Sequence, residues 1–405
     1  MTYVAKHEPL KCHRCGACME LVACPGADEM VCIGCGACVI TCPHQAIELI
    51  TSKREKKISI YVNEEKFKVP ELISVKEALV ELGYQIKDHF AESGLFAPCQ
   101  IGGCYSCVMM IDGKAKPICI TRVREGMKIN TTLPREYTPL RIVTNFTGHP
   151  TGGVGTPWEF KTGQDIIEVG CYAAGCNFRC PTCQNWFVTY LGREEPKTPY
   201  EAAKILSEVR KDYGVDRMFI SGGECTLNKP WLVQFIRELK KLNPDPAAHF
   251  HVDTNGSLLD FAYLDELMEA GMTDIGIDLK ALQTETFMHI TGLQGKTKAE
   301  KFKETAWKAV NYLVNTYEGK VFVGVGIPYN KELITLEEIT MMGRQLLKIS
   351  PFLQVSVLNY RGEFRKNIAI PTTKEMKEVF QVLKDTGLKN VTVQTKNGII
   401  GPRGK

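Results

Sequence analysis

Fifteen of the chain's 17 cysteines fall into three tight spacing patterns, and thiolates spaced this closely point to metal ligation over disulfides. The first array reads Cys12-x2-Cys15-x2-Cys18-x5-Cys24-Pro25 and then Cys32-x2-Cys35-x2-Cys38-x3-Cys42-Pro43, with Cys-Gly-Ala-Cys repeating after 20 residues. Thiolates at x2 spacing wrap one face of an iron–sulfur cubane, while the distant Cys-Pro serves the cluster of the other half. The spacing therefore predicts one [4Fe-4S] cluster on Cys12, Cys15, Cys18 and Cys42, and a second on Cys32, Cys35, Cys38 and Cys24. The first half has x5 where x3 is usual, which lengthens its loop. A zinc module is the competing reading, but zinc sites rarely use three x2-spaced thiolates followed by Cys-Pro. His13 and His44 stand beside filled sites and are expected at the surface.

Two shorter arrays follow. Cys99-x4-Cys104-x2-Cys107-x11-Cys119 has the plant-type order, in which a short loop of three thiolates meets a fourth from a later strand, and it predicts a [2Fe-2S] centre. Gly102 and Gly103 let the backbone fold over such a centre; a structural zinc site is the alternative. The third array, Cys176-x3-Cys180-x2-Cys183, supplies only three ligands. A cubane held at three corners keeps an open position on one iron, the logic that separates catalytic from structural metal sites. Two cysteines lie outside the arrays. Cys171 is expected to be small and buried. Cys225, directly after Ser221-Gly222-Gly223-Glu224, is a candidate catalytic thiol that contacts substrate or relays a radical.

These ligands need elements to hold them. Residues 1–50 carry eight cysteines and almost no periodic apolar pattern, so metal rather than apolar burial must hold that piece together. TSKREKK (51–57) reads as a solvated linker. From 57 to 133 the chain reads as a hairpin (KISIYVNEEKFKVP), a short helix (SVKEALVEL), the cysteine loop, and a second hairpin (VMMIDGKAKPICI) turning at Asp112-Gly113. Residues 134–163, with Pro134, Pro139, Pro150, Pro157 and TGGVGTPW, read as a linker. No Gly-Lys-Ser/Thr follows the glycines, so they are not a phosphate loop. From 164 to 405 strand candidates IIEVG, RMFIS, FHVDT, DIGID, VFVGVG and FLQVSVL, then VTVQT, alternate with amphipathic helices. The fold class predicted is α/β, an incomplete (βα)6 barrel of parallel strands with its chemistry at the strand ends, preceded by two small cluster-binding domains.

The first array resembles the bacterial two-[4Fe-4S] ferredoxins over about 40 residues. Residues 57–133 resemble the β-grasp [2Fe-2S] domain, the x11 interval being similar to that in the iron–sulfur subunit of succinate dehydrogenase. Both likenesses imply electron transfer. The third array, placed after the first strand of a βα repeat, resembles the radical S-adenosylmethionine superfamily over residues 164–360. In that superfamily the open iron is chelated by the amino and carboxylate groups of the methionine moiety, and electron delivery cleaves the sulfonium to methionine and a 5′-deoxyadenosyl radical. The likeness implies that Gly222, Gly223 and Glu224 bind the cofactor's amino group, with Glu224 pairing with the ammonium. Asp253-Thr254-Asn255-Gly256 and Asp278-Leu279-Lys280 look like the pyruvate formate-lyase activating enzyme group. That implies cofactor contacts at Asp253, Asn255, Asp278 and Lys280, with Lys280 neutralising a carboxylate. Cys-Gln-Asn, ending at Asn185, fits the same group. The chain departs from these patterns at Thr182, where an aromatic residue is usual, and in LNYRGEFR, where Tyr360 and Arg361 replace a His-bearing loop.

Composition narrows the setting. Apolar content of 44% and charge of 24% over 405 residues exclude wholesale disorder. A formal charge of +4 on spread basic residues leaves no nucleic-acid footprint. No run of 18 apolar residues occurs, and MTYVAKHEPL lacks the apolar region of a signal peptide, so no membrane partner and a cytoplasmic location are expected. The cofactors expected are three [4Fe-4S] clusters, one [2Fe-2S] cluster and S-adenosylmethionine. The function expected is reductive cleavage of that cofactor, fed by the chain's own ferredoxin domains and an external low-potential electron donor, to abstract hydrogen from a protein such as a glycyl-radical enzyme. Action on a small molecule or peptide, or electron transfer with no such chemistry, are the alternatives. Oxygen-sensitive clusters imply an anaerobic host.

Overall fold

The computed structural model describes residues 2–22, 24, 31–161 and 165–404. The chain forms two compact units: Met1–Val143 with Ala173–Asn177 and Asn185–Thr198, and Thr144–Tyr172 with Phe178–Gln184 and Pro199–Lys405.

Unit one begins with β1 (Thr2–His7) paired antiparallel to β2 (Ile47–Ser52), Val4 opposite Ile50. Two short helices, α1 (Ala17–Glu20) and α2 (Ala37–Thr41), fall between them in sequence. Each follows the glycine of a Cys-Gly-Ala-Cys segment. Gly16 and Gly36 have φ of 76° and 75°, a conformation that strains any other residue. The small core here joins Val4, Ala5, Ala46 and Ile47 to Cys32, Cys38 and Cys42. So few apolar groups leave stability to the ligands.

The next part of unit one contains β3 (Lys57–Val62), β4 (Glu65–Pro70), α3 (Val75–Glu81), β5 (Ile86–Lys87), β6 (Leu95–Phe96), β7 (Val108–Ile111), β8 (Lys114–Pro117) and β9 (Lys128–Asn130). The sheet order is β4-β3-β9-β7-β8, parallel only at β3–β9. Both predicted hairpins form, and the second turns at Asp112-Gly113 as the sequence predicts. Asn63 and Glu64 (φ 47° and 73°) and Asp112 and Gly113 (φ 49° and 75°) take the paired left-handed conformations of a two-residue turn. Ser74 caps α3, accepting from the Glu77 N–H at 3.1 Å. Val75, Ala78 and Leu79 of α3 pack on Ile60, Val62, Ile111 and Ile129 of the sheet.

Unit two carries most of a nine-stranded sheet that begins with β10 (Val143–His149) and β11 (Glu168–Ala173). A short α4 (Trp186–Thr189), which belongs to unit one, and α5 (Pro199–Tyr213) lead to β12 (Arg217–Gly222), α6 (Lys229–Leu242), β13 (His249–Thr254), α7 (Phe261–Ala270) and β14 (Asp274–Asp278). Then come α8 (Thr284–Thr291), α9 (Lys296–Thr316), β15 (Phe322–Tyr329), α10 (Leu336–Ile349), β16 (Gln354–Asn359), α11 (Thr373–Asp385), β17 (Val391–Thr395) and β18 (Gly398–Ile400). The strands lie in sequence order, and β12 to β17 are parallel. With β10 and β18 at its edges the sheet is open, which agrees with the incomplete barrel read from the alternation. α8 was not predicted. Among the described residues no helix is long and apolar enough to cross a membrane.

The stretch read as a linker, 134–163, is structured instead over its described residues, 134–161. It contains β10, and its Gly-rich part is inserted among the strands of unit two. Gly153 donates its N–H to Glu168 Oε1 (2.7 Å), Gly155 to Asp253 Oδ1 (3.1 Å) and Trp158 to Gln354 Oε1 (2.8 Å). A Cβ on Gly155 would come within 2.5 Å of the Gly276 nitrogen, and one on Gly324 would overlap the Val154 carbonyl. The glycines permit backbone to lie on backbone, so their enrichment reflects close packing rather than flexibility.

Candidate functional site

In unit one, Cys12, Cys15, Cys18 and Cys42 line one cavity of about 270 Å³, the set that crossed ligation predicts for one cluster. His13 and His44 line it too, their rings stacked at 4.0 Å and 7°. His13 is exposed, as expected. A hydrogen bond with Cys24 raises the Cys38 pKa, and burial and the Cys24, Cys35 and Cys32 charges push the same way. Burial, followed by the Cys42 charge, raises Cys18. Backbone N–H groups point at sulfur: Ala5 and Gly34 at Cys32 (3.3 and 3.4 Å), and Ala46 at Cys42 (3.3 Å). Such donors suit anionic sulfur.

Cys99, Cys104, Cys107 and Cys119 are all buried. Cys99 shares hydrogen bonds with Cys104 and Cys119, and Cys107 shares one with Cys119. Burial works against the Cys99 thiolate, yet these bonds hold its pKa well below the ordinary thiol value; burial, then Cys99, raises Cys104. Four soft donors converging in an apolar interior fit an iron–sulfur centre. Among the described residues no three Cys, His, Asp or Glu side chains already stand in metal-ligating geometry, so the thiols form a cradle and not a closed coordination sphere.

The third array is divided, with Cys176 in unit one and Cys180 and Cys183 in unit two. Burial pushes the Cys180 thiol up to about 12, against the opposing charge of Lys280. Beside Cys183, Thr182 Oγ1 and Gln184 Nε2 are buried with no hydrogen-bond partner among the described residues, as is Asn359 Oδ1 at the end of β16. Buried polar atoms are rarely orphaned, so Thr182 and Gln184, the chain neighbours of Cys183, fit a site that a bound group completes.

At the C-terminal end of β14, Lys280 donates to Asp278 Oδ2 (2.6 Å) and to the Tyr360 hydroxyl (2.9 Å). Burial works against its charge, but Asp278, then Tyr360 and Cys180, hold the pKa well above the ordinary lysine value. Tyr360 therefore joins Lys280, whereas Arg361 turns to Glu363 at 3.7 Å. Gly222 closes β12 at φ 116°, and Gly223 follows it. Glu224 is fully buried with both carboxylate oxygens in use. Oε1 accepts from the Thr226 N–H (2.9 Å), the Thr226 hydroxyl (2.6 Å) and the Thr254 hydroxyl (2.6 Å), and Oε2 from the Asn255 N–H (2.7 Å). The Asn255 side chain accepts from Ser257 and closes a local turn. Cys225 is fully buried, its sulfur 3.2 Å from the Asp253 carbonyl, and Cys171 is equally buried.

Asp253 faces the inserted loop. Its Oδ1 accepts from Gly155 and lies 2.8 Å from His251 Nε2. This opens onto a buried network that the sequence reading missed. Burial opposes charge on His251, but Asp253 and Glu168 raise its pKa to about 10. Burial likewise opposes the Glu168 carboxylate, but the rings of His149 (3.5 Å) and His251 (3.6 Å) and a hydrogen bond from the Thr156 hydroxyl (2.7 Å) hold it well below the usual range. Arg217 reaches Asp274 at 2.9 Å. The alternation of a strand puts 251 and 253 on one face, a signal available from sequence.

Comparison with known proteins adds three domain matches. Residues 172–338 match the Radical SAM superfamily, 55–134 the 2Fe-2S iron-sulfur cluster binding domain, and 23–48 the 4Fe-4S binding domain. The GTP 3′,8-cyclase of Crocosphaera subtropica (strain ATCC 51142 / BH68) is 32% identical over 133 residues, 32% of this chain and 37% of that protein. A probable GTP 3′,8-cyclase of Saccharolobus islandicus (strain M.14.25 / Kamchatka #1) is 34% identical over 122 residues, 29% and 36% of the two chains. The chain thus spans little more than a third of the length of these curated relatives. Streptococcus suis SuiB aligns with a TM-score of 0.44 at 18% identity, covering 57% of this chain and 49% of that one. The third cysteine array lies inside the first domain match, the second array inside the second, and Cys24 to Cys42 inside the third. The chain carries a radical SAM domain preceded by ferredoxin-like 4Fe-4S and 2Fe-2S binding domains.

Proposed function

We propose that this chain is a radical S-adenosylmethionine enzyme that takes the electrons for cofactor cleavage from its own ferredoxin-like domains, in the cytoplasm. The gathering of Asp278, Lys280 and Tyr360 around Cys180 carries the reading. Cys176, Cys180 and Cys183 would hold a [4Fe-4S] cluster, which together with S-adenosylmethionine supplies reductive cleavage of the sulfonium and a hydrogen-abstracting radical. Lys280 keeps a buried positive charge, aimed by Asp278 and Tyr360, and so favours a carboxylate such as that of the methionine moiety. Glu224 is committed to four donors and braces the chain after β12 and β13. Recognition of an ammonium then falls to the backbone of Gly222 and Gly223. Cys225, buried against a backbone carbonyl, serves packing in this reading and not radical relay. The two N-terminal cysteine arrays would hold the relay clusters, charged by an external low-potential donor.

Hydrogen abstraction from a protein, in the manner of a glycyl-radical activating enzyme, is one substrate class this chemistry serves. The relatives named GTP 3′,8-cyclase favour a second, a small molecule such as a nucleoside triphosphate. The test is anaerobic reconstitution with iron and sulfide, reduction with dithionite, and mass spectrometry after S-adenosylmethionine is added. The expected products are 5′-deoxyadenosine and methionine; absence of both would leave an electron-transfer protein. Deuterium transferred into 5′-deoxyadenosine from labelled GTP, or from a labelled glycyl-radical protein, decides the substrate class.

A further inference from the structure

Within unit one, three glycines lock the [2Fe-2S] loop against the chain on either side of the third cysteine motif. A Cβ on Gly103 would stand 2.7 Å from the Leu191 carbonyl oxygen and 2.8 Å from the Ala174 Cβ. One on Gly192 would overlap the Ile101 carbonyl. One on Gly175 would lie 2.9 Å from both the Cys99 Cβ and the Cys104 Cβ, and Gly175 has a φ of 86°, which disfavours any side chain. The backbone at 175 thus rests directly on two of the four cysteines of the second array. Cys176, the first ligand of the third array, is one peptide further on, its Cα about 3.8 Å from that of Gly175.

Hydrogen bonds brace this contact. Ile142 donates to the Gly103 carbonyl (3.2 Å), Ala174 to the Ile142 carbonyl (3.0 Å) and Gly175 to the Thr189 carbonyl (2.8 Å). Arg141, fully buried, donates to the Ala174 carbonyl at 3.1 Å. The same flank reaches the first array, where Gly192 donates to the Leu21 carbonyl (2.6 Å) and Arg193 to the Met19 carbonyl (2.8 Å).

We propose that Gly175 is a positioning residue that seats Cys176 against the Cys99–Cys104 cradle, making the [2Fe-2S] centre the immediate electron neighbour of the cluster on the third array. This inference rests on the function proposed above. The transfer moves one electron and no proton. The iron pair returns from mixed-valent to diferric as the neighbouring cubane is reduced by one electron, and a low-potential ferredoxin-type protein, or dithionite in vitro, recharges the pair.

The test uses the full-length, anaerobically reconstituted protein, reduced with dithionite. The spin-relaxation rate of the [2Fe-2S] electron paramagnetic resonance signal is compared with that in the triple variant Cys176→Ala, Cys180→Ala, Cys183→Ala. Faster relaxation in the parent protein is expected, because a second paramagnet lies beside the first; equal rates overturn the seating. Gly175→Val is expected to lose that enhancement while retaining its iron, and a variant that relaxes like the parent overturns the proposal. Should Gly175→Val not fold, the parent and triple-variant comparison decides by itself. 5′-Deoxyadenosine is measured in the same samples. Enhancement without cleavage supports the seating and sinks the enzyme function; cleavage without enhancement sinks the seating alone.

Discussion

Glu224 and Lys280 show how differently two buried charges can be used. Four hydrogen bonds converge on Glu224, so its charge is consumed in joining the strand ends of β12 and β13. Glu224→Gln keeps the shape but turns an NH2 group toward these donors. A buried mismatch of this kind costs about 1–3 kcal/mol, and the midpoint of urea unfolding is expected to fall accordingly. Lys280 instead keeps its charge at the site, paired with an Asp278 side chain that is 26% exposed. Breaking a fully buried pair costs about 3–5 kcal/mol, and partial exposure should bring Lys280→Met to about 2 kcal/mol. Iron content should hold in this variant while S-adenosylmethionine affinity, read by equilibrium binding, falls. Unchanged affinity would remove Lys280 from the proposed cofactor contacts.

At the level of elements, the inserted loop 152–158 and the strands around it form one charged unit. Burial works against the charges of His251, Glu168 and Asp274, and their partners hold these three charged all the same. His251, raised to about 10, contributes its full stability below its unfolded value of about 6.5 and loses it as the pH rises through that interval. In Glu168, where the neighbouring His149 and His251 rings and the Thr156 hydroxyl overcome burial, and in Asp274, where His249 and Arg217 do so, the pKa is lowered. These two contribute in full above the ordinary carboxylate range and lose their contribution as the pH falls through it. The unfolding midpoint is therefore expected to decline as the pH falls below about 5 and as it rises from about 6.5 to about 8, above which Lys161, lowered by burial to about 8, gains stability as His251 loses it; a midpoint that rises between about pH 6.5 and 8 would contradict the network. Gly155→Ala would push a methyl against Gly276 and His251. Overpacking of this kind costs about 1–3 kcal/mol, readable as a lowered Tm.

For the whole molecule, the arrays predict three cubanes and one [2Fe-2S] centre, about 14 iron atoms per chain. Metal analysis of the reconstituted protein checks that count. Replacing Cys176, Cys180 and Cys183 together should remove about four of these atoms and abolish 5′-deoxyadenosine formation, leaving the [2Fe-2S] spectrum in place. Cys104→Ala should spare cleavage driven by dithionite, a small reductant able to reach each cluster, and weaken cleavage driven by a protein donor. Equal activity with both donors would take the [2Fe-2S] centre off the route.

The amino-acid sequence by itself determined the cysteine arrays, the two-residue turn at Asp112-Gly113, and the βα alternation of the C-terminal half. All three are local: each depends on the spacing of neighbours along the chain or on one residue's backbone preference. Only the tertiary structure decided what Glu224 and Asp253 bind, that Tyr360 meets Lys280 across 80 residues, and that Gly155 reaches Asp253 across 98. It also turned an expected linker into packed structure and set Gly175 on the [2Fe-2S] cradle. A carboxylate, a tyrosine or a glycine has the same local preferences wherever it is used. The partner that fixes its role arrives from a distant segment, and only folding brings the two together.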